Sequence, residues 1–316
     1  MRVKNTYRLA RHIVFPALLI FLIASGLKAQ SDTLKKPSAG NHIFTPITYS
    51  SLPFTNSYFS THTGVGTTSG LVSEISSLPF EGLQGEVSFV EMGFSYQQRV
   101  RERLAGYINL TISARVGTDF QSMIAQGFSA ITSFDIGWHF KLLEAKKSQL
   151  SMVLELQNHK GSFVNVLGFV QDIINEHPNP SLNETIPVLA LATGLRYAYA
   201  ISETIGIKSS AMLAFGETYT RGVYGLAFDA GIGIDFDFFP RFSVPIGLVL
   251  AYDITSMPDF VYVDGKESQI IQAKIAYTKA SDFSLGLEFS FMKYPFLNQA
   301  KPVTAFSAAL AARYYF

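Results

Sequence analysis

The chain of 316 residues contains no cysteine. That excludes disulfides, thiol nucleophiles, cysteine metal sites and the lipidated N-terminal cysteine of a bacterial lipoprotein. Charge is also scarce, at 16% of residues, and 25 Lys and Arg against 24 Asp and Glu nearly cancel. No basic excess exists to hold a nucleic acid. Past the N-terminus there is no apolar run of about 18 residues, so no helical membrane span is expected. The six histidines show no metal-ligand spacing. Gly64-Val65-Gly66 lacks the strand-to-helix setting of a phosphate loop. No enzyme, metal or cofactor is expected. What the chain does have is grease: 48% hydrophobic and 14% aromatic residues, 27 of them Phe. High hydrophobicity without long runs leaves two sheet architectures, a soluble sandwich or strands with one face in lipid.

The first residues read as an export signal. Arg2, Lys4, Arg8 and Arg11 precede an apolar stretch from Ile13 to Ile23, and small residues follow at Ala24-Ser25-Gly26 and Leu27-Lys28-Ala29. Cleavage after Ala29 is expected. An uncleaved anchor is the other reading, but the stretch is short for a span and is broken by Pro16.

From residue 86 onward, apolar and small or polar residues alternate, the period of a strand with two unlike faces. In 107–117, Ile108, Leu110, Ile112, Ala114 and Val116 oppose Asn109, Thr111, Ser113 and Arg115. In 226–238, seven apolar residues from Leu226 to Phe238 oppose Ala227, Asp229, Gly231, Gly233, Asp235 and Asp237. Segments 133–142, 148–157 and 283–291 are as clean; 86–98, 187–202, 205–216, 242–253, 269–278 and 303–316 are readable. Many of these strands run to about twice the 5–6 residues usual in sandwiches, and reach the ~9–11 that a tilted membrane strand needs. The connections alternate independently. Those at 99–102, 144–147, 203–204, 239–241 and 279–282 are short, whereas 118–129, 158–186, 217–224, 254–268 and 294–302 are longer. Short periplasmic turns and long exterior loops are the pattern of a membrane barrel. With eleven strands from residue 86, an even number requires one more from 57–70. The expected fold is therefore an all-β, antiparallel up-and-down transmembrane barrel of twelve strands, with fourteen as the alternative. Residues 30–85 supply a plug, a first strand, or both, and 86–316 form the barrel. Tyr96, Trp138, Tyr197, Tyr199, Phe238, Phe242, Phe283 and Tyr314 are placed to form an aromatic girdle at the periplasmic rim.

The chain ends Ala311-Ala312-Arg313-Tyr314-Tyr315-Phe316, with Phe306, Leu310, Tyr314 and Phe316 at alternate positions. This resembles the terminal strand of bacterial outer-membrane β-barrel proteins. The resemblance implies insertion by the barrel-assembly machinery, contact with outer-membrane lipid, and residence in the outer membrane after signal removal. It indicates a broad class and no particular family.

Within such a barrel the polar face lines the lumen. Arg115, Arg196, Lys208, Lys274 and Arg313 then face inward with Asp135, Glu155, Asp229, Asp235, Asp237 and Glu288. They could select solutes, or pair across a filled interior. Many inward positions are Gly or Ala, which leaves room for a channel or for the N-terminal segment. In the longest loop, Phe163, Val166, Leu167, Val170, Ile173 and Ile174 fall on one helical stripe before Pro178 and Pro180, a candidate gate. Two functions stay open. One is a porin-like channel for small solutes, apolar ones among the candidates. The other is a plugged barrel with a structural or assembly role in the envelope.

Overall fold

A computed structural model describes residues 36–48, 50–73, 83–117, 128–164, 175, 183–217, 224–256, 267–280, 282–294 and 302–316. Twelve antiparallel strands close into one barrel. A two-stranded hairpin, β1 (Ser38–Ala39) and β2 (His42–Ile43), precedes it. The wall comprises β3 (Tyr58–Ser73), β4 (Leu83–Arg101), β5 (Leu104–Gly117), β6 (Phe128–Ala145), β7 (Ser148–Val164) and β8 (Asn183–Ala200). It continues through β9 (Ile205–Glu217), β10 (Tyr224–Asp237), β11 (Ile246–Ser256), β12 (Ser268–Tyr277), β13 (Phe283–Tyr294) and β14 (Val303–Tyr315). Each strand pairs with its neighbours in sequence, and β14 closes the circle on β3 through the ladder from Thr304↔Ser69 to Tyr315↔Tyr58. Closure leaves no edge, so every strand has hydrogen-bonding partners on both sides, the condition for surviving in hydrocarbon.

The period-2 faces decide which side meets lipid. Leu226, Ile232, Leu250, Ile271, Leu287 and Leu310 all point outward with at least 45% of their surface exposed. The residues between them on the same strands, such as Asp235, Val249, Lys274 and Glu288, are buried. A continuous apolar belt of this size on a water-facing surface would drive aggregation; against acyl chains it is the stable arrangement. At the short-turn rim, Tyr96 stacks on Phe316 at 5.9 Å and Phe236 on Phe238 at 6.3 Å, while Phe238 lies 6.3 Å from Phe242.

Several strands run longer than the sequence reading, β6 over Phe128–Ala145 among them, and three boundaries bear on the expected elements. The strand expected to start at Phe242 begins at Ile246, because Phe239–Phe242 forms a one-turn helix, α1. Pro240 sits in that first turn, Ser243 follows in the left-handed region (φ 55°), and Pro245 has no N–H for a ladder. β7 runs on to Val164 and β8 starts at Asn183, so both ends of the supposed 158–186 loop are wall. Phe163 and Val164 pair with Glu184 and Asn183, so the helical stripe cannot start at Phe163. A β-branched and aromatic dipeptide adjoining a formed ladder extends it rather than nucleating a helix. The rest of that gate, Val166, Leu167, Val170, Ile173 and Ile174, lies outside the described residues.

Candidate functional site

The lumen is occupied at its short-turn end by the segment that precedes β3. Its side chains and backbone are tied to the turns and strand ends by hydrogen bonds. Lys36 Nζ donates to Thr278 O at 2.7 Å, and Gly40 N to Lys146 O at 2.6 Å. Asn41 Nδ2 donates to Glu203 Oε1 at 2.7 Å, and Gln149 Nε2 to Pro53 O at 2.6 Å. Gln97 Nε2 reaches both Phe54 O and Asn56 O, at 2.9 and 2.7 Å. Gly40 (φ +57°) turns the β1–β2 hairpin, a conformation glycine adopts without penalty.

Two short apolar clusters seat the plug. Phe44, Leu52 and Phe54 pack with Ala39, Ala198 and Ala200, and Ile47 packs with Val249 and Ala251. The small wall residues make this possible. A Cβ on Gly206 would come within 2.6 Å of the His42 and Phe44 rings, and one on Gly247 within 2.5 Å of Thr45 Oγ1.

The inward charges divide by height. Near the short-turn end they hold the plug. Asp235 accepts from Thr45 N at 2.7 Å and sits 3.1 Å from His42 Nε2, with both side chains fully buried. Lys208 Nζ donates to Ser50 O at 3.2 Å. Glu288 bridges wall and plug: Lys274 Nζ lies 2.8 Å from Oε1, while the Thr48 hydroxyl and N–H both donate to Oε2. Asp237 accepts from Phe239 N at 3.1 Å and orders the β10–α1 turn. These residues pair, the outcome expected of charges in a filled interior.

Above the plug is a cavity of about 520 Å³. Arg115, Arg196, Arg313, Asp135, Glu155 and Asp229 all line it. Tyr107 donates its hydroxyl to Glu155, and Gln157 Nε2 donates to the other oxygen at 2.6 Å. Thr255 Oγ1 donates to Asp229 at 2.7 Å. Arginines stack on aromatic rings: Arg115 over Phe89 at 5.9 Å, Arg196 over Tyr107 at 5.7 Å, Arg313 over Tyr58 at 4.0 Å. Phe89, Met292 and Ala305, with Ile270 beside them, add an apolar patch to the same wall. Among the described residues no group of three or more His, Cys, Asp and Glu could hold a metal ion.

Sequence reasoning missed the two histidines that matter to this arrangement. His42 is buried in the plug, and His62 faces inward from β3, 2.9 Å from Glu91 Oε1. The sequence signal available for His62 was the poor alternation of 57–70, in which inward His62, Gly64 and Gly66 oppose outward Thr63, Val65 and Thr67. His42 had none, because its partner Asp235 is 193 residues away. His139, on the inward face of β6, is fully buried with Nε2 2.6 Å from Ser151 Oγ.

The architecture is that of bacterial outer-membrane β-barrels. Among solved structures, the translocator domain of the autotransporter NalP from Neisseria meningitidis aligns with a TM-score of 0.52 over 98% of each chain, at 8% identity. An outer-membrane channel from Pseudomonas putida F1 also gives 0.52, over 86% of this chain and 99% of its own, at 10% identity. These likenesses carry the fold. No protein-family model matches the sequence, and no curated protein does.

Proposed function

We propose that this protein is a gated outer-membrane channel for small solutes, closed at its periplasmic end by residues 36–56. The observation that carries the reading is the lumen itself. A charged, aromatic-lined cavity sits directly above a short segment held in place by hydrogen bonds to individual wall groups rather than by the wall's own ladder. A purely structural barrel would gain more from a packed lumen than from a cavity of this size. Solute would reach the cavity from the long-loop side and pass when the segment withdraws. The greasy outer face contacts lipid, the terminal strand ending in Phe316 addresses the barrel-assembly machinery, and no nucleic acid is bound. No catalytic role is proposed. Export by a signal cleaved after Ala29 belongs to the same reading.

The absence of native cysteine makes the test clean. In Thr45→Cys/Gly247→Cys the two sulfurs fall within bridging range, because a Cβ at 247 lies 2.5 Å from the Thr45 hydroxyl. In a planar bilayer the oxidised protein is expected to be silent and the reduced protein to open as wild type does. A variant lacking 36–56 is expected to conduct steadily. Equal behaviour of oxidised and reduced protein would refute the gate. Silence of the deletion, with a folded heat-modifiable barrel on gels, would favour the plugged structural component instead.

A further inference from the structure

We infer that the neighbouring short turns β4–β5 and β6–β7 form a docking surface for anionic phospholipid headgroups of the periplasmic leaflet. The inference goes beyond the channel reading and does not rest on it, because it concerns side chains outside the lumen.

Each turn is preceded by a break in strand register, and the breaks sort the charges. On β4, Arg99 pairs with inward Ala105, but the register then shifts and Arg101 pairs with Leu104. Leu104 pairs on its other side with Phe140, so Arg101 stands in a row of the lipid-facing side. Without the shift, alternation would place it inward with Gln97 and Arg99. On β6 the shift falls between Lys141 and Leu143. Lys141 pairs with buried Ser151, whereas Leu143 pairs with Leu150. Leu142 and Leu143 therefore both face outward, 43% and 66% exposed.

The carboxylates are held elsewhere. Lys141 Nζ lies 2.7 Å from Glu144 and 3.8 Å from Glu102, so one lysine engages the acidic side chains of both turns. The turns are joined where Lys141 N donates to Arg103 O at 2.9 Å. Arg101, Arg103, Lys146 and Lys147 are left over, and all four are exposed. Among the described residues none of them has a carboxylate within ion-pair distance. Lys147 Nζ reaches only the Ile201 carbonyl, at 3.5 Å, the outer limit of a hydrogen bond.

Height decides what neutralises them. Trp138 pairs with outward Leu154, and Tyr197 and Tyr199 are each 36% exposed on β8. Such residues mark the headgroup level of a bilayer. Arg101 lies in the Leu104–Phe140 row, the next outward row beyond Trp138 toward the turn. A guanidinium there has hydrocarbon beside it, and the anion within its reach is a headgroup phosphate. A water-borne acidic protein would meet Arg103, Lys146 and Lys147 but not the outward Arg101. Other turns of this rim differ: Arg241 lies over the Phe242 ring, and the β8–β9 turn carries Glu203, which accepts from Asn41. Four clustered cations favour a net-negative headgroup over a zwitterionic one, whose own ammonium offsets its phosphate.

Trp138 is the chain's only tryptophan, and its place on the outer side of β6 makes it a local reporter. The full-length protein is refolded into phosphatidylcholine vesicles holding a minor fraction of phosphatidylglycerol, with bromine on the acyl chains of one lipid or the other, and quenching of Trp138 is read. If one cation engages a headgroup, the lipid beside Trp138 is enriched roughly fivefold in phosphatidylglycerol over the bulk, and the enrichment falls as salt is raised. Replacing Arg101, Arg103, Lys146 and Lys147 together by Gln is expected to abolish it, and Arg101→Gln alone to remove the larger part. Arg241→Gln/Lys279→Gln, on other turns, is expected to leave it unchanged. Heat-modifiability on gels confirms that each variant is a folded barrel, and the single substitution keeps the test open if the fourfold one is not. Equal local and bulk composition, which would leave the turns to a water-borne acidic partner, overturns the site. So does an enrichment that survives the fourfold substitution, or one lost equally in Arg241→Gln/Lys279→Gln.

Discussion

Glu288 is the residue through which plug and wall are most directly joined, and Glu288→Gln is the perturbation that tests it. Its carboxylate accepts from Lys274 on one oxygen and twice from Thr48 on the other, and the side chain is almost wholly buried. Glutamine keeps the shape but has one acceptor oxygen. If that oxygen stays with Lys274, an amide NH2 faces two Thr48 donors; if it flips, the NH2 faces the ammonium. Each hydrogen bond to a charged group contributes about 1.5–3 kcal/mol. The lysine left without a counter-charge adds to the cost only while the plug excludes water. Undocking is thus favoured by about 2–4 kcal/mol, which is a rise of roughly 30- to 1,000-fold in the undocked population. Single-channel recording of the refolded variant reads that change as opening frequency. Glu144→Gln is the control. Glu144 pairs with Lys141 at 2.7 Å but is more than half exposed, so its loss is worth about 0.2–1 kcal/mol and breaks no hydrogen bond to the plug among the described residues. If Glu288→Gln gives a heat-modifiable barrel with wild-type opening, the plug does not control conduction through this contact, and the energetic argument fails.

Four further outcomes are expected. Gly206→Val places a branched side chain against the His42 and Phe44 rings, so overpacking of about 1–3 kcal/mol falls on the docked plug alone; opening rises while the barrel's own urea midpoint holds. Burial lowers the Lys36 ammonium to about 8 from 10.5, so between those pH values the undocked segment binds more protons and docking strengthens as pH rises. Opening frequency should fall from neutral pH toward pH 10, and Lys36→Met should flatten the profile. Leu250→Arg, on the lipid face at mid-strand, costs about 2–4 kcal/mol in vesicles, seen as a lower urea midpoint. Phe316→Ala removes a ring stacked on Tyr96 and Tyr314; insertion in cells should drop while refolding into detergent persists, and equal loss in both would point to stability rather than targeting.

The wall was legible in the sequence because its rule is local. Inward Asp235 and outward Ile234 and Phe236 differ by one position, and a strand with lipid on one side and polar lumen on the other cannot slip that register without reversing every residue. The count of twelve came from parity and turn lengths, which are also local. It required a strand in 57–70 that alternation hardly supports, and the wall has one there because β14 would otherwise present an open edge to lipid.

The plug obeys a different physics. It carries Pro37, Pro46 and Pro53, forms only the β1–β2 hairpin, and satisfies its polar groups on wall residues as far as 242 residues away. No period marks such a segment. Its imprint is in the wall's composition, in the small residues Gly206, Gly247, Ala198 and Ala200 that receive it. From the sequence these positions were equally consistent with an open channel, because a wall glycine makes the same room for water as for a Phe44 ring. What separates the two cases is whether the inward charges already have partners. Asp235, Lys208 and Glu288 do, and they sit at plug height. Arg196 and Asp135 have few, and they line the space above. The lumen is accordingly two-part, a seat that is already filled and, above it, a cavity whose lining charges are less fully partnered.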